Sequence, residues 1–155
     1  MKATTLLERQ HRNLQQLCEA VERGSAKVRE SLLPQLAGDL AAHIAVEEQV
    51  FYPVACQALR ENVWIQSGRN SHHSAGESLE RVLHADLDSE AFADAISALR
   101  DVVELHAEEQ EEHLFPRLDA AIDEGAMREL GRAILDLYHA KVEVGYARAS
   151  PPSPL

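Results

Sequence analysis

Residues able to hold a metal recur in this sequence at matched spacing. His43 and Glu47 stand four apart in the run HIAVEEQVFYP, residues 43–53, which sits inside a helical pattern and ends on a proline. Residues at i and i+4 share one face of a helix, so the pair offers an imidazole nitrogen and a carboxylate oxygen to one place. The run returns 63 residues later as HAEEQEEHLFP, residues 106–116. His43 falls on His106, Glu48 on Glu111, Phe51 and Tyr52 on Leu114 and Phe115, and Pro53 on Pro116. Each copy follows a stretch with a histidine of its own. His11 lies 32 residues before His43, and His73 lies 33 before His106.

Imidazole with carboxylate suits iron, manganese or zinc, and the absence of thiolate partners argues against iron–sulfur chemistry. Zinc usually takes four tight ligands; this set is larger and richer in carboxylate, which points to a pair of metals. A single histidine on an apolar helix face is ordinarily a satisfied core residue. Four in repeat register, two of them in near-duplicate segments, weigh against that plainer reading. The run Glu108–Glu112 is by itself a solvated acidic face, and only its register with His106 singles out a member.

The elements that must position these groups are helices. Thr5 with Glu8 matches a capping box, and Gly24 is a natural stop, giving a first helix over 5–23. A second begins between residues 26 and 31 and reaches Pro53, with Pro34 acceptable only near its first turn. Leu36, Leu40, His43, Glu47 and Val50 keep the 3/4 rhythm of an inward stripe. Residues 61–70, with Trp64, Gly68 and Asn70, read as a loop. A third helix is expected over 71–85, or later if Ser74 and Glu77 form its capping box. A fourth runs from about residue 89 to Pro116 and on toward 122, and a shorter fifth over 126–144. The expected organisation is all-α, an antiparallel up-down four-helix bundle with a short fifth C-terminal helix. It forms one domain over 1–148, with its core at 5–120 and a disordered proline-rich tail at 149–155. A bundle of two such helix pairs brings inward-facing polar groups together at its middle.

Composition narrows the function. The 155 residues are 45% apolar, with 26 acidic against 15 basic side chains and a formal charge of −11. Nucleic acid and anionic membranes need basic faces, so neither is an expected partner. No stretch approaches a membrane span, and residues 1–10 lack the apolar run of a signal peptide. A cytoplasmic protein is the expectation. Cys18 and Cys56 form no motif, and Cys18, one heptad from His11, reads as a small buried hydrophobe.

The two runs HIAVEEQVFYP and HAEEQEEHLFP resemble the paired motifs of the hemerythrin-like HHE cation-binding domains, in motif, order and spacing, over residues 5–120. The resemblance implies a non-haem centre of two iron ions, oxo- or hydroxo-bridged. It implies His11, His43, His73 and His106 as terminal ligands and Glu47 as a bridging carboxylate. Two positions depart from the pattern. In the second motif the i+4 residue is Gln110, and the carboxylate comes one later, so the second bridge is assigned to Glu111, with Glu109 and Gln110 in reserve. An ideal helix turns i+5 about 140° away from His106, so a local departure from α-helix is required there. In oxygen carriers of the family the third helix bears two histidines four apart, whereas here Glu77 follows His73. His72 is the alternative to His73. His113 reads as a support or surface residue, and His84 and His139 as solvent-facing. The resemblance implies a protein that binds or senses O2, or reacts with peroxide or nitric oxide. The alternatives are an enzyme that removes these molecules or supplies iron, and an iron-buffering or structural bundle. A sensor would need a separate protein partner.

Overall fold

The computed structural model describes the backbone over residues 1–60 and 63–149, and side chains through residue 144. The proposed tail lies outside the described residues, except that position 149 still belongs to the last helix. Among the described residues, seven helical segments follow one another: α1 (Ala3–Arg23), α2 (Ala26–Val46), α3 (Tyr52–Ala58), α4 (Val63–His84), α5 (Glu90–Glu109), α6 (Phe115–Ala121) and α7 (Glu124–Ala149). The segments α2 and α3 are joined through a π turn at Glu47–Phe51, and α5 and α6 through another at Gln110–Leu114. Each pair is therefore one continuous rod, and five rods make an all-helical bundle. Gly24 and Ser25 connect α1 to α2, and residues 85–89 connect α4 to α5, so both hairpins are antiparallel. The helix α5 packs on α1 and α4, while α7 lies along α1 and α2. Among the described residues, no helix is long and apolar enough to cross a membrane.

Several helix ends differ from the sequence-based expectation. The helix α1 starts at Ala3 with no side-chain cap. The capping box at Thr5 does not form, and the hydroxyl of neighbouring Thr4 instead donates to Asp119 Oδ1 at 3.1 Å. Ser25 caps α2 by accepting from the Val28 amide at 3.3 Å, which leaves Pro34 well inside the helix. An interior proline costs a helix about 3 kcal/mol. Here its ring faces solvent between buried Leu33 and Leu36, whose burial stabilises the helix by about 1.5–3 kcal/mol each.

The helix α4 begins at Val63, not Ser71. Of the stretch 61–70 read as a loop, residues 61 and 62 lie outside the described residues, and 63–70 are helical because they begin the inward stripe Ile65, Gly68, His72, Ala75 and Val82. Gly68 sits mid-helix for a packing reason: a Cβ there would lie 2.1 Å from the Tyr52 hydroxyl. Pro53 and Pro116 do not end their rods. Immediately before each, the backbone widens, with Tyr52 N–H bonding to the Glu47 carbonyl and Phe115 N–H to that of Gln110. The fifth rod, expected over 126–144, spans 26 residues.

Two apolar clusters fill the bundle. One contains Leu14, Leu36, Leu40, Ile96, Leu99 and Val103. The other contains Leu7, Phe51, Tyr52, Leu114, Phe115, Met127 and Ile134. Between them, on four rods, lies a layer of buried histidines.

Candidate metal centre

Each hairpin contributes two histidines to that layer. His11 and His72 come from α1 and α4, and His43 and His106 from α2 and α5; all four are buried. Glu47, wholly excluded from solvent, lies at their centre. Its Oε2 is 2.7 Å from His72 Nε2 and 3.2 Å from His106 Nε2, and its Oε1 is 3.4 Å from His43 Nε2 and 3.9 Å from His11 Nε2. Ligating atoms of His11, His43, Glu47 and His106 all fall within 4.8 Å of one another. His43 Nε2 and His106 Nε2 are 3.5 Å apart.

Surrounding groups orient these donors. Gln10 Oε1 accepts from His43 Nδ1 at 2.9 Å, which leaves the Nε2 lone pair facing inward. His72 Nδ1 donates to Glu48 Oε1 at 2.8 Å. Tyr52 donates its hydroxyl hydrogen to Glu47 Oε2 at 2.8 Å and accepts from Gln110 Nε2 at 2.9 Å. The Tyr52 ring also stacks on His72, with centroids 5.5 Å apart. Supports of this kind fix the tautomer and orientation of ligating side chains.

Glu111 approaches from the rim. Its Oε2 is 3.6 Å from His11 Nδ1, while its other oxygen accepts from Arg12. It does not join the mutual cluster with Glu47. Within the repeat, Glu111 corresponds to Glu48, and Gln110 to Glu47. Accordingly Glu48 faces His72 Nδ1 and Glu111 faces His11 Nδ1, each at the histidine of the opposite hairpin.

Charge follows from these distances. Burial pushes the Glu47 carboxyl up, but His43, His106 and His11 outweigh it and hold the group well below the usual carboxylate range. Burial drives His43 well below the ordinary imidazole value, helped by the neighbouring rings and opposed by Glu47. His11 and His72 are also pulled down by burial, yet Glu111 with Glu47, and Glu47 with Glu48, raise them overall. In the metal-free site these contacts favour the ionised form of Glu47 and the protonated forms of His11 and His72.

His73 lies apart from the site. It is the next residue round α4 from His72, and its side chain is 80% exposed, paired with Glu77 at 3.1 Å. His72 occupies the inward position expected for His73, and Glu77 does not reach the centre. The offset match to His11 misled because the second hairpin has a five-residue connection where the first has two. Counted from the helix ends, His11 and His72 agree: each stands 12 residues before the last residue, Arg23 and His84. The stripe Ile65, Gly68, His72, Ala75 was the signal that could have found it. Sequence alone assigns no site role to Tyr52, Gln10 or Glu48, since their roles arise only from contacts across the bundle. His113 stacks on Trp64 at 4.2 Å, and His84 and His139 face solvent.

These residues fit a cation. Both nitrogens of His11, Glu47 Oε1, His106 Nδ1 and Gln110 Oε1 are buried without hydrogen-bond partners. Each such atom costs about 1–3 kcal/mol when left unmade, and here they gather around one carboxylate. Imidazole and carboxylate donors suit divalent iron, manganese or zinc.

A buried four-histidine, carboxylate-centred layer inside a helical bundle defines a cation-binding bundle protein. The hemerythrin HHE cation-binding domain model matches residues 2–118, and the chain belongs to that family. A solved structure of a hemerythrin HHE cation-binding domain-containing protein from Mycobacterium kansasii shares the fold. It superposes with a TM-score of 0.81 at 20% sequence identity, covering 93% of this chain and 89% of that one. No curated protein matches the sequence.

Proposed function

We propose that the chain is a non-haem di-iron protein whose centre binds O2, or reacts with peroxide or nitric oxide, and does not carry oxygen reversibly. The observation that carries this reading is the convergence of four buried histidines on Glu47, beside a cavity that admits only a small molecule. The cavity measures about 10 Å³ and is walled by histidine rings together with Leu14, Leu40, Ala75 and Val103. A space of that size holds about one water-sized molecule.

We assign His11, His43, His72 and His106 as terminal ligands, Glu47 as a bridge, and Glu111 as the second bridge once Arg12 releases it. Four imidazoles and two bridging carboxylates supply about eight of the roughly twelve bonds that two octahedral cations take. With His73 and Glu77 on the surface, the protein leaves several positions open. Carboxylate donors and open positions favour reaction over reversible storage. A pair of iron ions supplies the one-electron steps that O2, peroxide and nitric oxide chemistry requires.

The chain's own groups prepare the place. Gln10 and Glu48 aim two imidazoles, Tyr52 and Gln110 hold Glu47, and the apolar walls keep bulk water out. The two unpaired cysteines support a reducing compartment such as the cytoplasm.

The test is anaerobic loading with ferrous iron, metal analysis, and stopped-flow mixing with O2 followed by degassing. About two irons per chain and an irreversible optical change are expected. Recovery of the reduced spectrum under vacuum would move the reading to reversible oxygen binding. A single tightly held zinc with no iron uptake would remove the di-iron reading.

A further inference from the structure

The small cavity beside the histidines has a surface counterpart. Between α4 and α5 lies a groove of about 190 Å³, lined by Ser67, Ser71 and Ser74 on one side and Val102 and Glu109 on the other, among others. Ser71 and Val102 line both the groove and the inner cavity. They are the residues common to the surface groove and the space beside the histidines. A second groove, of about 430 Å³ along Glu104, Glu108 and Glu111, ends on the Arg12–Glu111 pair. It shares no lining residue with the inner cavity.

We propose that the α4/α5 groove is the substrate entrance, that Ser71 and Val102 set its width, and that it selects neutral hydrogen-bonding molecules the size of hydrogen peroxide. This rests on the reading above that the centre takes a small ligand. The size limit comes from the inner cavity, with room for about one water-sized molecule. The chemical class comes from the lining. Hydroxyl groups offer hydrogen bonds to an entering peroxide, whereas a diatomic gas makes no use of them. Glu109, held by Ser67 Oγ at 2.7 Å, places a negative charge at the mouth and discourages anions. Leu105, also at the groove, is exposed and adds no charge.

The experiment uses iron-loaded full-length protein and follows association of nitric oxide, hydrogen peroxide, tert-butyl hydroperoxide and azide by stopped flow, with iron content measured for every variant. Val102→Phe should slow nitric oxide and hydrogen peroxide about tenfold while iron content is unchanged. Val102→Ala should speed tert-butyl hydroperoxide by about the same factor. Ser71→Ala should slow hydrogen peroxide severalfold and leave nitric oxide unchanged. Glu109→Gln should speed azide alone. Should Val102→Phe fail to fold, Val102→Leu narrows the same point with less added volume.

Iron-loaded Val102→Phe with parental rates for both probes would overturn the entrance. Equal slowing of nitric oxide and peroxide by Ser71→Ala would overturn the hydrogen-bonding selectivity. If the parent protein ignores peroxide but binds nitric oxide, the peroxide reading fails, and the nitric oxide rates still decide the route.

Discussion

Glu47 and Gln110 hold the same position in the two halves of the bundle: each follows a buried histidine by four residues and opens a π turn. Only one is a carboxylate, and Tyr52 ties them together, donating to Glu47 and accepting from Gln110. The centre is thus lopsided in charge although nearly symmetric in backbone.

Supplying the missing charge should trade one state against the other. In metal-free protein, Gln110→Glu sets a second buried carboxylate across Tyr52 from Glu47 and removes the amide that donates to Tyr52, which costs about 3–5 kcal/mol. For a domain of this size that lowers Tm by about 6–20 °C. Cations neutralise the new group, so the loaded variant should recover most of the loss. Calorimetry with and without metal reads both, and an equal drop in the two forms would place residue 110 beyond the cations' reach.

The two adjacent histidines of α4 should behave oppositely. His72→Ala removes a buried donor 2.7 Å from Glu47 and should eliminate at least one bound metal. His73→Ala changes a surface pair with Glu77 and should bind metal like the parent, with stability altered by less than about 0.5 kcal/mol. Metal analysis of the two proteins decides it, and loss of metal from the His73 variant would restore the register suggested by residue offsets.

Gly68 and Tyr52 should be coupled. A Cβ at position 68 would meet the Tyr52 hydroxyl at 2.1 Å, so Gly68→Ala should destabilise by about 1–3 kcal/mol despite the better helix propensity of alanine. In a Tyr52→Phe background the hydroxyl is gone and the ring carbon, 3.0 Å away, remains close. The penalty should shrink without vanishing. Denaturant titration of the four proteins gives the coupling, and additive effects would mean the helices shift apart freely.

Metal uptake should release protons, more at lower pH. Burial lowers His11 and His72, but the facing carboxylates raise both above the ordinary imidazole value. Their protonated forms stabilise the metal-free fold fully below the unfolded pKa of about 6.5, and that contribution is lost as pH rises through the folded values. A cation must displace these protons. Titration calorimetry in buffers of different ionisation enthalpy should therefore find release falling as pH rises from about 6.5 into the alkaline range. Constant release across that range would show that the two rings are neutral before metal arrives.

How far the sequence carried the site depended on the kind of constraint. His43, Glu47 and His106 were legible because one helix and one repeat fix their faces. The choice of His72 over His73 depended on the turn between α4 and α5, whose three extra residues shift a comparison made by offsets. The inward stripe through Ile65 and Gly68 points to His72, but Gly68 and Asn70 give the same stretch the composition of a loop. Tyr52 and Gln10 act across the bundle, where no local pattern reports. The widening before Pro116 had been required in outline by the i+5 carboxylate. Its twin before Pro53 had not been anticipated, since the i+4 spacing of His43 and Glu47 fits an ordinary helix.

The helix α7 lies beyond residue 118, where the family match stops, yet Met127, Leu130 and Ile134 share a core with Tyr52, Phe51 and Phe115. At its other edge, Gly131 is pressed so closely on the Met1 carbonyl that a Cβ would come within 2.3 Å. Homology and packing therefore draw different borders on this chain. A fragment cut at the family boundary would keep every candidate ligand but strip the outer wall from the cluster that seats Tyr52 beneath Glu47. The repeated unit in the sequence is the hairpin, whereas the shared core spans both hairpins together with α7.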